Sequence, residues 1–369
     1  MISEKQLIDS FIKYVSIDSE SGDELEICNF LYNELTQLGL DVLKTNEDNS
    51  FSNGYNMIAS YKGDLNNEPV FLSAHVDTVV NGKNIKVVQE DGFLKSDGTT
   101  ILGADDKVAM TAIMEVVKTI KENNLKTRPF EVVFTLSEEH GLLGAKALDV
   151  NLLKAKDGLV FDGTGKIGGI DIKTPSNHHL KIEVTGKGAH SGSGAKKGIS
   201  AIQIAAKAIA DINLGQVDEE TTCNIGIIYG GEAGNIIPEH CHIDATVRSL
   251  CPDKAKKQIN HIKEKFNYYA DLLNGFVDVQ VDTSFESVAI DTNTQLVKDL
   301  QRSFELNGIE PYFKVAGGGS DNNIFFNKGL NSIDVAISYN NIHTVNESIE
   351  IIEMQRLAQS ILTYLTLNE

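Results

Sequence analysis

Four short apolar runs, PVFLSAH, FEVVFTLS, DGLVFD and SIDVAIS, constrain what this chain can fold into. With NMIASY ahead of them, they alternate with stretches of helical period. Runs of this length between helices predict an α/β layered domain whose central strands are buried on both faces. Helices are expected over residues 4–16, 24–38, 107–121, 200–212, 253–273, 293–307 and 351–367. The second of them stops at Gly39, where a left-handed cap is favoured.

A different texture begins near residue 178. LKIEVTG, CNIGIIYG, CHIDATVRS and FVDVQVDTSF surround two of the helices. CHIDATVRS alternates apolar and polar residues, as in a sheet with one wet face. The α/β pattern then resumes. The expected fold class is therefore α/β: a mixed-sheet α/β/α domain from residues 1–177 and 288–369, with a smaller α+β domain, 178–287, inserted into it. A chain of 369 residues exceeds what one core usually serves.

Bulk properties exclude several partners. Hydrophobic residues make up 41% of the chain, but no apolar run approaches the ~20 residues of a membrane helix. The N-terminus lacks the apolar segment of a secretory signal. Cys28, Cys223, Cys241 and Cys251 show no CxxC spacing and read as reduced thiols, so a cytoplasmic location is expected. The net charge of -19 argues against nucleic acid and anionic membranes, both of which are bound through clustered Lys and Arg.

The candidate chemistry lies where the apolar runs stop. FLSAHVDTV ends in His75 and Asp77, which point to the same side of a strand. In ILGADDKVAM, Asp105 and Asp106 precede a helix, where capping is an ordinary alternative. VVFTLSEEHG runs into Glu138 and Glu139, two carboxylates that suit different jobs, one a ligand and the other a general base. GLVFDGTG ends in Asp162, and NNIHTVNES carries His343 in a polar loop. His, Asp and Glu at these ends are donors that zinc, cobalt and manganese accept. His178, His179, His240, His242 and His261 fall in the inserted segment with no carboxylate partner evident.

Taken in order, SAHVDTV, LGADDK, SEEHG, FDG and NIH resemble the motifs of the M20 metallopeptidases, most nearly the peptidase T (tripeptide aminopeptidase) branch. The resemblance spans nearly the whole chain and implies two divalent metal ions, with zinc expected and cobalt or manganese as alternatives. It makes His75, Asp105 and Asp162 ligands of one ion and Asp105, Glu139 and His343 ligands of the other. It also implies a cis peptide after Asp105, Asp77 as support for His75, and Glu138 as the base that deprotonates a water shared by the ions. The inserted domain would be a lid that can also form a homodimer. Through TGKGAHSGSG, GGEAGNIIPEH and ATVRS, His190 would assist the oxyanion, while Asn235 and Arg248 would hold the peptide. Where peptidase T has GGTDG, this chain reads GGGSDNN, and Gly318 and Gly319 could offer backbone N–H groups to substrate. The implied activity is removal of the N-terminal residue from short peptides. The alternatives are hydrolysis of N-acyl amino acids or related amides, and a binding protein without catalysis.

Overall fold

The apolar runs form strands Val70–His75, Phe130–Thr135, Asp157–Gly163 and Asn331–Ala336. Val70–His75 lies between Phe130–Thr135 and Asp157–Gly163, and Asn331–Ala336 follows, all parallel. Their carboxyl ends therefore share one edge. Strands Asn56–Tyr61 and Asp41–Thr45 extend the sheet antiparallel on one side, and Gly169–Thr174 pairs antiparallel on the other. From Val70–His75 the chain moves to one neighbour and then crosses to the opposite one. Open α/β sheets bind ligands at such a reversal, outside the carboxyl ends of the strands.

The computed structural model, which describes residues 2–367, explains why both faces of these strands are apolar. Val70, Leu72 and Ala74 join one core with helices Glu4–Val15, Leu25–Gln37, Ala104–Asn123, Gln295–Leu306 and Ile351–Thr366. Phe71 points the other way and meets Phe325 of helix Asp321–Asn327 edge-on, with ring centroids 5.4 Å apart. Gly158 makes that contact possible, because a β-carbon there would lie 2.0 Å from the Phe71 ring. The result is a mixed sheet between two helical layers. Helix Ala104–Asn123 is buried at every position from Ala104 to Val117. Its first turn is irregular, since Asp105 and Asp106 depart from helical dihedrals.

By contact density the chain divides into two units, one of Met1–Ile172, Ile290–Ala316 and Ser320–Glu369, the other of Lys173–Ala289 and Gly317–Gly319. The second unit holds a five-stranded antiparallel sheet in the order Gly215–Asp218, Thr221–Gly230, His240–Ser249, Ser176–Thr185, Phe276–Phe285. Leu180, Ile182, Val184, Ile243 and Val247 pack on helices Ala201–Ala210 and Pro252–Leu272. The intervening residues face away, as the alternating sequence implies.

One small sheet has no counterpart in the sequence reading. Strands Val87–Glu90, Phe93–Ser96 and Ser348–Glu350 pair antiparallel. They are short and mostly not apolar, and their closure depends on a contact between distant parts of the chain. Among the described residues, no helix is long and apolar enough to cross a membrane. All four cysteines are free thiols.

Candidate metal centre

The parallel strands deliver their terminal side chains to one place. His75 ends its strand, is 2% exposed, and points Nε2 at Asp105 Oδ1, 3.1 Å away. The other Asp105 oxygen, Oδ2, lies 3.1 Å from His343 Nε2. That same nitrogen is 2.8 Å from Glu139 Oε1. Donor atoms of His75, Asp105 and Asp162 lie within 4.8 Å of one another, as do those of Asp105, Glu139 and His343. A third such group, His75, Glu138 and Glu139, brings Glu138 to the same place.

The tautomer of His75 tests whether cations fit. Its Nδ1 lies 3.0 Å from the carbonyl oxygen of Asp77, which only accepts, so Nδ1 carries the proton. In the neutral ring the Nε2 lone pair then faces a carboxylate oxygen, an arrangement that requires a proton or a cation between them. Metal-ligating histidines are commonly held by such a bond from their other nitrogen. The donor set of imidazoles and carboxylates suits zinc, cobalt or manganese.

The electrostatics describe a site that takes protons when no cation is present. Burial opposes charge on His75, yet hydrogen bonds to Asp105 and Asp77 hold its pKa well above the ordinary value. Asp105 and then Glu139 raise His343 to about 10. Burial would raise Asp105, but His343 and His75 hold it below the usual range. Asp162 is pushed well up by burial, with Asp105 and Glu138 adding repulsion. Burial likewise raises Glu138 well above a normal glutamate; His75 opposes the rise, and Asp321 and Glu139 reinforce it. A carboxyl group poised in this way suits proton transfer near neutral pH.

Behind the cluster, buried carboxylates grip the backbone of the segments that carry it. Asp77 accepts from the N–H groups of Glu138 at 2.9 Å and Glu139 at 3.3 Å, so it orders the paired glutamates as well as His75. Asp106 accepts from the His75 N–H at 3.1 Å, and Asp334 from the Asp162 N–H at 3.2 Å. Glu24 accepts from the N–H and hydroxyl of Ser137 at 3.1 and 2.7 Å. Glu347 accepts from Leu102, Gly103 and Asp105. Lys107, fully buried, donates to the carbonyls of Tyr14 and Ile17 at 3.2 and 2.8 Å. The Asp105–Asp106 peptide is cis.

Sequence reasoning passed over Glu24, Asp334 and Glu347. An acid inside the apolar run SIDVAIS was a signal for Asp334, because a buried carboxylate needs partners. Glu347, four residues after His343, and Glu24, at a helix start, resemble ordinary polar residues in the sequence.

The remaining candidates lie in the second unit. His190 is exposed, and its Nδ1 accepts from the N–H groups of Gly192 and Ser193 at 3.1 and 3.3 Å. Its neutral ring therefore carries the proton on Nε2, as a donor. The carbonyl oxygen of Asn235 accepts from the N–H of Ser191 at 2.9 Å, and the exposed Arg248 lies near the end of strand His240–Ser249. Gly318 has open space around it, whereas a β-carbon on Gly319 would lie 2.3 Å from the Phe285 ring. His242, for which the sequence suggested no carboxylate partner, has two. Its ring lies between Glu183 and Asp244; Asp244 is two residues along the same strand, whereas Glu183 is brought opposite by strand register that the sequence does not display.

A family description for the peptidase dimerisation domain matches residues 173–271, and that of peptidase family M28 matches residues 56–198. The uncharacterized protein YqjE of Bacillus subtilis is 38% identical over 362 residues, covering 98% of each chain. The crystal structure of a tripeptidase from Staphylococcus aureus has 37% sequence identity and a TM-score of 0.96, covering 99% of this chain and 98% of its own. That of aminopeptidase PepT from Bacillus cereus has 36% identity and a TM-score of 0.94, with the same coverage.

A three-layer α/β unit with this cluster at its switch point, carrying a dimerisation-domain insert, defines an enzyme of the peptidase class. The chain belongs to the M20 peptidase family, and its relatives include proteins named peptidase T and a tripeptidase.

Proposed function

We propose that this protein is a two-metal aminopeptidase that removes the N-terminal residue of short peptides, tripeptides among them. The observation that carries the reading is the Asp105 carboxylate, which turns one oxygen to His75 and the other to His343, each at 3.1 Å. His75, Asp105 and Asp162 would hold one ion and Asp105, Glu139 and His343 the other, with zinc the expected metal and a cytoplasmic location expected from the sequence. When bound, two such ions polarise the scissile carbonyl and lower the pKa of a water at the site.

The chain's own groups supply the proton traffic. The Glu138 carboxylate takes a proton from the attacking water and returns it to the departing amine as the C–N bond breaks. Asp77 keeps Glu138 and Glu139 in register through their N–H groups. His190 would donate from Nε2 to the developing oxyanion. Asn235 and Arg248 would hold the peptide, Arg248 by a paired contact to its carboxylate, and Gly318 and Gly319 would offer backbone N–H groups. Support for a homodimer comes from strand Thr221–Gly230. Strand Gly215–Asp218 pairs with it only as far as Cys223, and Ile227, Ile228 and Tyr229 are exposed beyond that point.

Metal analysis of the purified protein, combined with turnover of a free tripeptide and its N-acetylated form, tests the reading. Bound divalent metal and cleavage of the free peptide are expected. Turnover of the blocked peptide alone would replace the aminopeptidase with an acyl-amino-acid hydrolase.

A further inference from the structure

We infer that Glu347 is a positioning residue of the metal centre: its buried carboxylate clasps the loop that delivers Asp105 to the loop that delivers His343. The inference rests on the metal assignment above, because both loops then carry ligands of the same ion.

Within the His343 loop, the Thr344 hydroxyl donates to the Asn341 carbonyl at 2.7 Å and accepts from the Asn346 N–H at 3.2 Å, bonds that shape the turn without tying it to the Asp105 segment. The His343 side chain is 45% exposed, while the neighbouring Ile342 packs against the core. The φ of His343, 62°, and that of Asn341, 53°, lie in the left-handed region that residues with a β-carbon rarely adopt. The loop's placement relative to the Asp105 segment depends on ties to other parts of the chain. Asn340 and Ser348 exchange backbone hydrogen bonds at 2.8 and 3.0 Å, and the carbonyl oxygen of Glu347 accepts from the Ser96 N–H at 3.2 Å. The carboxylate of Glu347, 1% exposed, is the tie that reaches the metal centre.

The Asp105 side of the clasp has an unmet need of its own. Helix Ala104–Asn123 starts after Gly103, which has a φ of 73° and no side chain to cap the free N–H groups. Glu347 supplies the missing acceptor from 242 to 245 residues away along the chain. Oε2 accepts from Leu102 at 2.7 Å and Gly103 at 2.9 Å, while Oε1 accepts from the Asp105 N–H at 3.1 Å. A carboxylate is favoured there because helix N-termini stabilise negative charge. The bond to the Asp105 N–H makes this more than a cap, since it fixes the residue whose oxygens face both histidines. A glutamine cannot reproduce it: its NH2 group would oppose backbone N–H donors on one side.

Titration of metal-free protein with cobalt(II), followed by visible absorption, counts the sites and gives their affinities. Wild type is expected to bind two ions, and Glu347→Gln to bind the weaker one about 10- to 100-fold less tightly, the usual range for a lost supporting contact. Turnover by the variant should recover as cobalt is raised, with KM unchanged. A cap without a positioning role would lower the melting temperature equally with and without metal and leave both affinities at wild-type values; that result overturns the inference. If Glu347→Gln does not fold, Glu347→Asp carries the same test, with the charge kept and one methylene of reach lost, and wild-type affinities there also overturn it. A wild type that binds no cobalt overturns the metal assignment itself.

Discussion

The two units present their functional candidates in opposite ways. In the first, His75, Asp77, Asp105 and Glu138 are buried, and carboxylates grip the backbone of the segments that carry His75, Asp105, Glu138, Glu139 and Asp162. In the second, His190, Asn235 and Arg248 are exposed on a short strand, a loop and a strand end. The difference fits the roles proposed for each. Ligands must sit within a few tenths of an ångström of a fixed geometry, which demands buried and hydrogen-bonded support. Groups that meet a peptide must first be open to solvent, so their order comes from the substrate.

The largest expected effect falls on the buried side. Asp105→Asn removes the charge shared by both histidines, and activity should fall below detection with loss of at least one metal equivalent by elemental analysis. A variant that keeps both ions and full turnover would break the contrast. Glu138→Gln should keep its metal while kcat falls by about 10²- to 10⁴-fold, the usual range for a lost proton-transfer group. Undiminished kcat would remove Glu138 as base.

Metal removal sharpens the comparison through pH. Burial raises Asp321 to about 6 and Asp334 and Glu347 to about 7, and it also raises Glu138 and Asp162. For a carboxyl group raised in the folded state, the native protein binds more protons than the unfolded chain, so stability declines as pH rises through the folded value. Metal-free protein should therefore lose thermal stability between about pH 4 and pH 7. Metal at 100 times its Kd should restore about 2.7 kcal/mol. A metal-free midpoint that is flat over this window would show that the cluster is not under charge stress.

On the exposed side, Arg248→Ala should leave metal content and melting temperature unchanged while KM rises about 10- to 100-fold, as for loss of a charged hydrogen bond of ~1.5–3 kcal/mol. The smallest effect belongs to His242, whose pKa is raised first by Glu183 and then by Asp244. That stabilisation is fully present below the unfolded value near 6.5 and is lost as pH rises through the folded value. His242→Gln should thus cost under ~1 kcal/mol, because Glu183 is largely exposed, and the cost should be seen in urea unfolding at pH 6 and vanish at high pH.

The same contrast separates what was legible in the sequence. The strands announced themselves by apolar runs, and His75, Glu138, Glu139 and Asp162 stood at or just past their ends. Asp105 and His343 needed the ordered motifs, since an acid before a helix and a histidine in a loop have commoner explanations. The sheet joining residues 87–96 to 348–350 was not legible, because short polar strands carry no period of their own. Nor was the pairing of His242 with Glu183, which register alone creates.

The sequence by itself determined the strand edge, the types of donor placed there and the family to which the chain belongs. Those follow from local patterns, which hydrophobic period and side-chain chemistry encode directly. Only the tertiary structure decided which carboxylate oxygen faces which imidazole, and that Glu24, Asp334 and Glu347 hold the backbone behind the site. Such assignments depend on contacts between residues as much as 245 positions apart, and a buried carboxylate differs from a solvated one only once the chain has closed around it.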